Sequence, residues 1–464
     1  MIDLRNVEKY RENNRIEAKK SLGGLPHSIW ETYSAFANTL GGVILLGVEE
    51  YRDKTFHVVD LPDPERLISE IKVKLADRKK VSANILSDRD ITIETFEGKH
   101  FIAINIPRAH RFDKPVYIDG NPFGGTYRRG GEGDYKCTKE EVESLQRDSE
   151  RISSDMLLYA DLKADALEGE TIIKYFKRLK KLRCDYVEEI VNESFLDKIG
   201  VLVKGENDIY HPTAAGLLMF GKSGRIIEKY PNFKPVYTEK DEENEIKAEL
   251  EGENLFEFYL MAEKRISRGI CMLGMNRSEE KSVSEAVSEA LANSLIHADY
   301  LSECSISIEM SPNDLSLTNP GSLRISPDDI LHSGASDRRN ALLAKILYLA
   351  GIGSGGVRGI YEVWRKKKWC APVLGEDFSP ERVTLHLTFG KSLGKDISTA
   401  IETASRREAV INYITEHIEA TSGDIAALLG ISRENALGLM KKLTDDDILS
   451  FEKRGNGYFY KLRS

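Results

Sequence analysis

Three polar residues that could do chemistry recur at four-residue intervals: Glu289, Asn293 and His297. Side chains four positions apart lie one above the other on a helix, so a carboxylate, a carboxamide and an imidazole would share one face. A carboxylate can orient a water molecule or bind a cation, an Asn oxygen suits Mg²⁺, and His can serve as an acid, a base or a ligand. The spacing therefore predicts either a site for a metal-bound nucleotide or a solvated polar face with a capping histidine.

The stripe needs a helix to hold it, and the neighbouring residues supply a separate apolar face. That face comprises Val283, Val287, Ala290, Leu291, Ser294 and Leu295. We expect this helix over Ser282–His297, after a long helix over Leu255–Arg268. Strands are expected at Ser305–Met310, Asp314–Thr318 and Val383–Phe389. These elements predict an α/β module over residues 261–395.

A second group of candidates is the carboxylates of Glu12, Glu17 and Glu50. Three clustered carboxylates suit Mg²⁺ or Mn²⁺, which take oxygen ligands and can activate water against a phosphodiester. Glu12 and Glu17 are five positions apart, which places them on opposite faces of a strand or about 140° apart on a helix. Their convergence requires a bend in between. The alternative is a structural role, in which Glu17 pairs with Lys19 or with an arginine.

The segments before residue 261 predict an α+β domain over residues 1–150 and a connecting α/β region over 151–260. The charge-dense segment Lys240–Glu253 predicts an exposed loop or a sheet edge. The first domain is expected to contain helices at Pro26–Asn38, Asp63–Lys74 and Thr138–Gln146 and strands at Val43–Val48, Ile91–Phe96 and His100–Ile106. The connecting region is expected to contain helices at Gly169–Leu182, Tyr186–Ile199 and Pro212–Gly221.

Composition limits the classes of protein that remain. The 464 residues exceed the usual size of one core, so two to four domains are expected. The five cysteines are scattered and show no metal-binding spacing, which predicts reduced thiols and no zinc site. No apolar run is long enough to span a bilayer, so we expect a cytoplasmic protein that does not bind membranes. The net charge of −9 means that any nucleic acid must be bound by local basic surface.

The N-terminal segment resembles the Schlafen-type, AlbA-like domain. The resemblance rests on Arg11–Lys20, Tyr33–Glu50, Ile106-Pro107, Lys114–Tyr117 and Tyr127–Gly130, and it covers nearly all of residues 8–148. Schlafen nucleases hold a metal ion with three carboxylates, which correspond by motif position to Glu12, Glu17 and Glu50. The third is usually Asp, so Glu50 is a departure. The resemblance implies nucleic-acid binding, for which Arg128 and Arg129 are candidates.

Residues from about 160 to 392 resemble a divergent relative of the GHKL ATPase fold, an α/β sandwich found in gyrase, chaperones and histidine kinases. The resemblance rests on Glu289–Tyr300, Thr318–Leu323, Asp337–Asn340 and Gly351–Ile360, together with the buried run Pro212–Gly221. It implies ATP or another nucleotide with Mg²⁺, bound near Asn293, Asn319, Gly321, Asn340, Gly355 and Gly356. It also implies that Asn293 is the metal ligand and that Glu289 would orient water in an ATPase.

Two departures from active ATPases bear on hydrolysis. Asn319 stands where such enzymes place an Asp before a Gly-x-Gly turn. An Asn oxygen can still accept a hydrogen bond from an adenine amino group, but it lacks the charge that strengthens the bond. The loop Gly351–Gly359 also lacks the Glu that commonly precedes its glycines. The resemblance therefore implies nucleotide binding and puts hydrolysis in doubt.

Residues 400–464 resemble a winged helix-turn-helix, with helices at Arg407–Ile418, Thr421–Gly430 and Ser432–Leu443 and a hairpin over Phe451–Leu462. Winged helices place the third helix in the major groove and the hairpin on the backbone. DNA contacts are implied for Arg433, Asn435, Lys441, Lys442, Lys453 and Arg454. Such domains also serve as protein contacts, and this alternative stays open.

The sequence as a whole predicts an α+β multidomain protein that binds DNA, RNA or both. The favoured interpretation is a nucleotide-responsive transcriptional regulator in which ligand binding repositions the outer domains. The first alternative is a Mg²⁺- or Mn²⁺-dependent nuclease, as in defence against phage. The second is an assembly scaffold with remnant sites. Whether the chain forms homo-oligomers is left open.

Overall fold

The structure is a computed structural model that describes most of the chain. The described residues are 15–52, 55–131, 133–182, 192–206, 208–241, 243, 246–327, 329–330, 336–353, 356–378, 380–390, 410–411, 413–414, 417–429, 433–445, 448–454 and 457–463. The chain divides into two compact units, Met1–Ser149 with Gly394–Ser464, and Glu150–Leu393. Each unit mixes helices and strands, which confirms the predicted α+β class.

The N-terminal part of the first unit is organised by a mixed sheet. Its strands are β1 (Ile16–Lys19), β2 (Gly42–Leu46), β3 (Val48–Glu50), β4 (Phe56–Val58), β5 (Ile91–Phe96), β6 (Lys99–Ile106), β7 (Tyr127–Gly130) and β8 (Gly133–Lys136). Four of them form a sheet in the order β1-β2-β6-β5. Strands β1 and β2 are parallel, whereas β6 is antiparallel to both of its neighbours. Strands β3/β4 and β7/β8 form hairpins.

Both faces of this sheet are covered, which explains why β2 is apolar along its whole length. Ile44 and Leu46 pack into one core, and Leu45 packs into another on the opposite face. The helices are α1 (Ser28–Asn38), α2 (Pro64–Ala76), α3 (Pro122–Gly125) and α4 (Lys139–Ser149). Helix α1 buries Trp30 and Phe36, so its apolar spacing predicted the helix correctly.

The second unit is built around a six-stranded sheet in the order β12-β11-β13-β14-β16-β15. These strands are β11 (Val236–Lys240), β12 (Ile246–Glu251), β13 (Ser307–Met310), β14 (Asp314–Pro320), β15 (Val373–Phe378) and β16 (Glu381–Thr388), and a separate pair is β9 (Leu202–Lys204) and β10 (Tyr210–Pro212). Strands β11 and β13 run parallel. The predicted segments 151–260 and 261–395 therefore contribute to one sheet. The charge-dense segment forms the edge strand β12.

Helices of the second unit pack into one continuous apolar core with this sheet. They are α5 (Gly169–Leu182), α6 (Glu193–Ile199), α7 (Ala214–Phe220), α8 (Ser223–Lys229), α9 (Leu255–Met272), α10 (Arg277–Ile296), α11 (Ala341–Leu349) and α12 (Gly356–Lys367). Helix α10 starts earlier than the predicted Ser282 because Asn276 and Glu279 form a capping box. His297 occupies the C-cap position of α10. The polar stripe thus lies in the last turns of a well-capped helix.

Among the described residues of the C-terminal part, 410–411, 413–414 and 417 are helical, and two further helices and a hairpin follow. They are α13 (Ser422–Leu429), α14 (Arg433–Asp445), β17 (Leu449–Arg454) and β18 (Gly457–Leu462). Ile425 on α13, Met440 on α14 and Tyr460 on β18 share a small core with Val410 and Ile414. Among the described residues, no helix combines the length and apolar character needed to cross a membrane.

Candidate functional site

The polar stripe of α10 lines a cavity in the second unit. Glu289, Asn293 and His297 border a volume of about 380 Å³. The opposite boundary includes Asn319 of β14 and apolar side chains of the sheet, Leu317, Leu374, Val383 and Leu385. The cavity thus combines a polar helix face with a largely apolar sheet face, an arrangement typical of small-molecule sites.

Glu289 connects the stripe to α12. Its carboxylate accepts a hydrogen bond of 3.0 Å from the backbone N–H of Gly356, the first residue of α12. Gly356 has a φ of +70°, a conformation that glycine adopts without strain. Only 7% of Glu289 is exposed. Glu289 therefore holds the start of α12 at the border of the cavity.

Asn293 carries an unsatisfied polar atom at the cavity. Its Nδ2 atom is buried and has no hydrogen-bond partner among the described residues. An unsatisfied buried donor costs about 1–3 kcal/mol, which a ligand with an acceptor atom would recover. Rotation of the carboxamide by half a turn exchanges its oxygen and nitrogen, so Asn293 can present either group to a ligand.

His297 is neutral at physiological pH. Burial lowers the pKa of His297 to about 4, and the positive charges of Arg339, Arg324 and Arg338 act in the same direction, whereas Asp337 opposes them. A neutral imidazole carries one donor and one acceptor nitrogen. The side chain therefore offers hydrogen bonds and no charge, mainly because burial disfavours the charged imidazole and secondarily because the nearby arginines repel it.

The arginines that line the cavity with the polar stripe were not predicted from the sequence. Arg324, Arg338, Arg339 and Arg358 line the cavity, whereas the acidic side chains that line it are Glu289 and Asp337. The Arg338-Arg339 pair in the segment Asp337–Asn340 was the available signal. This pair did not indicate that the arginines would face a cavity, because their positions depend on long-range packing.

Each arginine is held differently. Arg324 lies 3.6 Å from the Asp337 carboxylate. Arg339 is buried and donates to the Ser322 carbonyl at 2.7 Å. Arg338 is exposed and lies over the ring of Tyr348, 5.3 Å from its centroid. Arg358 is also exposed, and its guanidinium pairs at 3.2 Å with the carboxylate of Glu362. Glu362 does not line the cavity. The outer border is thus cationic.

Two residues that were expected to contact the nucleotide do not line the cavity but stabilise the residues that do. Gly321 does not line it, and a Cβ at Gly321 would lie 2.0 Å from Nη1 of Arg339. Asn340 is buried and donates to the carbonyls of Ile296 and Ala298, at 3.0 and 2.8 Å. Gly321 therefore makes room for an arginine, and Asn340 fastens the end of α10. Gly355 lies outside the described residues.

Of the three carboxylates expected to hold a metal ion, the structure describes those of Glu17 and Glu50. Glu17 is 6% exposed and pairs with Lys19 and, at 2.8 Å, with Nη2 of Arg129. Glu50 is half-buried at the end of β3. Glu12 lies outside the described residues. In the part of the chain that the structure describes, no three His, Cys, Asp or Glu side chains are grouped to hold a metal ion.

A buried ion network surrounds Glu17. Arg129 also pairs with Asp134 at 2.9 Å, and the hydroxyl of Thr32 donates to Asp134 at 2.6 Å. A metal ion at Glu17 would meet the positive charges of Lys19 and Arg129, so these residues do not fit a metal site. The structural alternative for Glu17 describes the observed contacts.

Arg128 and Arg129 are buried, and neither presents an open basic surface. Arg128 is 5% exposed and pairs with Glu141 at 3.3 Å, and Arg129 is 6% exposed within the network of Glu17. Their guanidiniums are therefore engaged inside the protein. Exposed arginines are the ones that can bind phosphates without breaking such pairs.

The C-terminal candidates form two groups. Arg433, Asn435, Lys441 and Lys442 lie on α14, where Arg433 and both lysines are exposed. On the hairpin, Arg454 pairs with Glu419 at 3.0 Å and with Glu452 at 2.7 Å. Arg454 and Lys461 lower the pKa of Glu452 to about 2. Lys453 lies 5.8 Å from the ring centroid of Tyr458. Helix α14 therefore offers the more accessible cations.

Two family descriptions match parts of the chain. Residues 12–138 match the family described as Schlafen, AlbA_2. Residues 143–236 match a family described as a domain of unknown function, DUF8451. No curated protein matches the chain significantly.

Solved structures include two that are similar to this chain. The crystal structure of the DIP2311 protein from Corynebacterium diphtheriae is 14% identical, with a TM-score of 0.41 over 97% of this chain and 95% of that chain. The solution NMR structure of the N-terminal domain of a RecG-related protein from Nitrosomonas europaea is 32% identical, with a TM-score of 0.22 over 27% of this chain and 85% of that chain. The family match confirms the predicted resemblance of the N-terminal domain to Schlafen, AlbA_2 over residues 12–138.

Proposed function

We propose that this protein binds nucleic acid and that a nucleotide regulates this binding, in the manner of a transcriptional regulator. One observation carries the proposal. Residues from three segments that are distant in sequence border the same cavity: Glu289 and Asn293, Asn319, and Gly356. Its volume of about 380 Å³ lies in the range of about 300–1,000 Å³ that is common for small-molecule sites.

The chemistry of the cavity suits a nucleotide. The apolar residues of the sheet offer a surface for a base, and the amide of Asn319 can accept from an adenine amino group. The arginines at the border suit phosphates, which guanidiniums bind through paired hydrogen bonds. The proposed ligand is therefore ATP or another nucleotide, held in a GHKL-like module.

Nucleic-acid binding is supported by two parts of the chain. The match to the Schlafen, AlbA_2 family supports a nucleic-acid role for the N-terminal domain. The helix pair and hairpin of the C-terminal part have the element order of a winged helix, and α14 exposes Arg433, Lys441 and Lys442. We do not propose a nuclease, because Glu17 is engaged by two cations.

Calorimetric titration of ATP into the full chain tests the nucleotide site. We expect Asn293→Ala to weaken binding, because the variant removes the hydrogen-bonding group at the cavity. Asn313→Ala is the matched control, since Asn313 is exposed and does not line the cavity. Equal heats for wild type and Asn293→Ala would end the assignment.

Fluorescence anisotropy with a random-sequence DNA duplex tests the role of α14. Replacing both Lys441 and Lys442 by Gln should weaken binding and reduce the salt dependence, because each phosphate contact contributes about 0.9 to the slope of log K against log salt. The control replaces Lys180 and Lys181, which are also adjacent and exposed near the end of a helix. If both double variants bind alike, α14 is not the contact.

A further inference from the structure

We propose that the cavity binds its nucleotide without a divalent cation, and that arginine side chains neutralise the phosphates directly. The inference rests on the proposed nucleotide function and concerns how that ligand is held. The sequence predicted Mg²⁺ at Asn293, and this inference differs from that expectation. It is argued from the charges, contacts and burial of the residues around the cavity.

The charge of the cavity lining favours an anion. Four guanidiniums line it against the carboxylates of Glu289 and Asp337. Asp337 lies beside Arg324, at 3.6 Å, and Glu289 accepts a backbone N–H from Gly356 at 3.0 Å. Both carboxylates are thus already in contact with positive charge or a donor. Glu362, outside the lining, also pairs with Arg358. Four guanidiniums against these three carboxylates leave one positive charge among the described side chains, which would attract phosphate and repel Mg²⁺.

The available ligand atoms do not fit a resident Mg²⁺. This ion requires near-octahedral oxygen coordination and is commonly held by one or two carboxylates together with substrate phosphates. At Asn293 the buried atom without a partner is Nδ2, a donor, and the carboxamide would have to rotate by half a turn to offer its oxygen to a cation. Donors satisfy phosphate or base acceptors and repel a cation.

The position of the arginines suits phosphate. Arg338 and Arg358 are exposed at the border of the cavity, where a ligand's phosphates would enter last and meet solvent. Arg324 and Arg339 lie deeper, with only 8% of the Arg324 side chain exposed. Guanidiniums at two depths can neutralise more than one phosphate group. A rigid fork of donors also replaces the orienting role that Mg²⁺ plays elsewhere.

The environment of His297 agrees with this charge distribution. Its lowered pKa arises from burial together with Arg339, Arg324 and Arg338, so three guanidiniums act on one point inside the cavity. The imidazole stays neutral at pH 7 and does not add to the positive charge. A bound phosphate would reduce this field, whereas a bound Mg²⁺ would increase it.

Titration of ATP into the full chain, once with Mg²⁺ and once with EDTA, tests the proposal. We expect binding that is as tight or several-fold tighter in EDTA, because Mg²⁺ neutralises part of the phosphate charge that the arginines recognise. Arg338→Gln should weaken binding about tenfold in both buffers, the usual effect of losing one hydrogen bond to a charged group. Arg338 is exposed, so the variant should fold normally.

Arg382→Gln is the control, because Arg382 is exposed, pairs with Asp377 and does not line the cavity. Binding confined to the Mg²⁺ buffer would overturn the cation-free site and leave the nucleotide function intact. Equal binding by the Arg338 and Arg382 variants would also overturn it. Absence of ATP binding in both buffers would overturn the proposed nucleotide function and this inference together.

Discussion

At the scale of single residues, Glu17 shows how a sequence motif and its observed contacts can differ. The side chain lies in a buried network with Lys19 and Arg129. The structural alternative predicted from the sequence, in which Glu17 pairs with Lys19 or an arginine, matches these contacts, but the sequence could not specify which arginine. Arg129 is more than 100 residues away along the chain, and only the folded sheet brings the two together.

Removing Glu17 should therefore destabilise the N-terminal domain. In Glu17→Ala, the guanidinium of Arg129, of which 2% is exposed, would lose one of its two carboxylate partners, and breaking a buried pair costs about 3–5 kcal/mol. Glu49→Ala is the control, because the pair of Glu49 with Lys20 is exposed and worth about 0–1 kcal/mol. The measurement is chemical denaturation of both variants. Equal losses would contradict the network's role.

The same variants decide whether the nuclease alternative survives. Wild type and Glu17→Ala are incubated with tRNA and with single-stranded DNA in the presence of Mn²⁺. We expect no cleavage that depends on the metal, since Glu17 is paired with cations. Metal-dependent cleavage by wild type that is lost in a folded Glu17→Ala protein would reverse this conclusion.

His297 should make the stability of the second unit depend on pH. Its folded pKa of about 4 lies below the ordinary 6.5, so the unfolded chain binds the proton more readily. Stability is then complete above pH 6.5 and falls as the pH drops through 6.5 towards 4, by at most about 3 kcal/mol. Comparing wild type and His297→Gln by thermal denaturation at pH 7.5 and pH 5 checks this. A variant as acid-sensitive as wild type would exclude His297 as the cause.

At the scale of elements, the sequence predicted helix α10 well and its surroundings poorly. Four-residue spacing of polar and apolar residues is a local property, so Ser282–His297 was correctly expected to be helical. Helices α11 and α12 were not expected. Helix α12 begins inside the glycine-rich segment that indicated only a loop. Its start at Gly356 depends on the contact with Glu289, which no local pattern reveals.

The end of α10 should depend on Asn340. Its amide binds the carbonyls of Ile296 and Ala298, which helix geometry alone leaves without partners. Asn340→Ala should cost about 2 kcal/mol, because the Ala298 carbonyl loses the side-chain donor of Asn340, whereas the Ile296 carbonyl keeps the backbone N–H of residue 340. It should also weaken ATP binding, since His297 lies in the same segment. Denaturation and calorimetry measure the two effects, with Asn313→Ala as the control. Unchanged ATP affinity in a destabilised variant would separate the helix end from the site.

At the scale of the whole molecule, the sequence identified which regions carry chemistry better than it identified how they are joined. The N-terminal family was correctly recognised over residues 12–138, because its motifs are local. The predicted boundary at residue 260 divides a sheet in which β11 pairs with β13. Parallel pairing of strands far apart in sequence is a non-local property. The arginines of the cavity were missed for the same reason, because they lie on different segments of the chain and come together only in the folded structure.

A regulator must couple its two ligands, and thermodynamics makes that coupling reciprocal. If ATP changes the affinity for DNA by some factor, DNA must change the affinity for ATP by the same factor, about 5- to 150-fold in known cases. We expect this agreement when anisotropy with a DNA duplex is measured with and without ATP, and calorimetry with ATP is measured with and without the duplex.

Arg338→Gln should require more ATP to reach the same shift in DNA affinity, while leaving DNA binding without ATP unchanged, because Arg338 lies at the cavity in the second unit. Arg382→Gln should behave as wild type in both measurements. A chain that binds both ligands with no mutual effect would be a protein with two independent sites. In that case nucleotide binding would serve the stability of the second unit, because a ligand that binds only the folded state stabilises it by mass action.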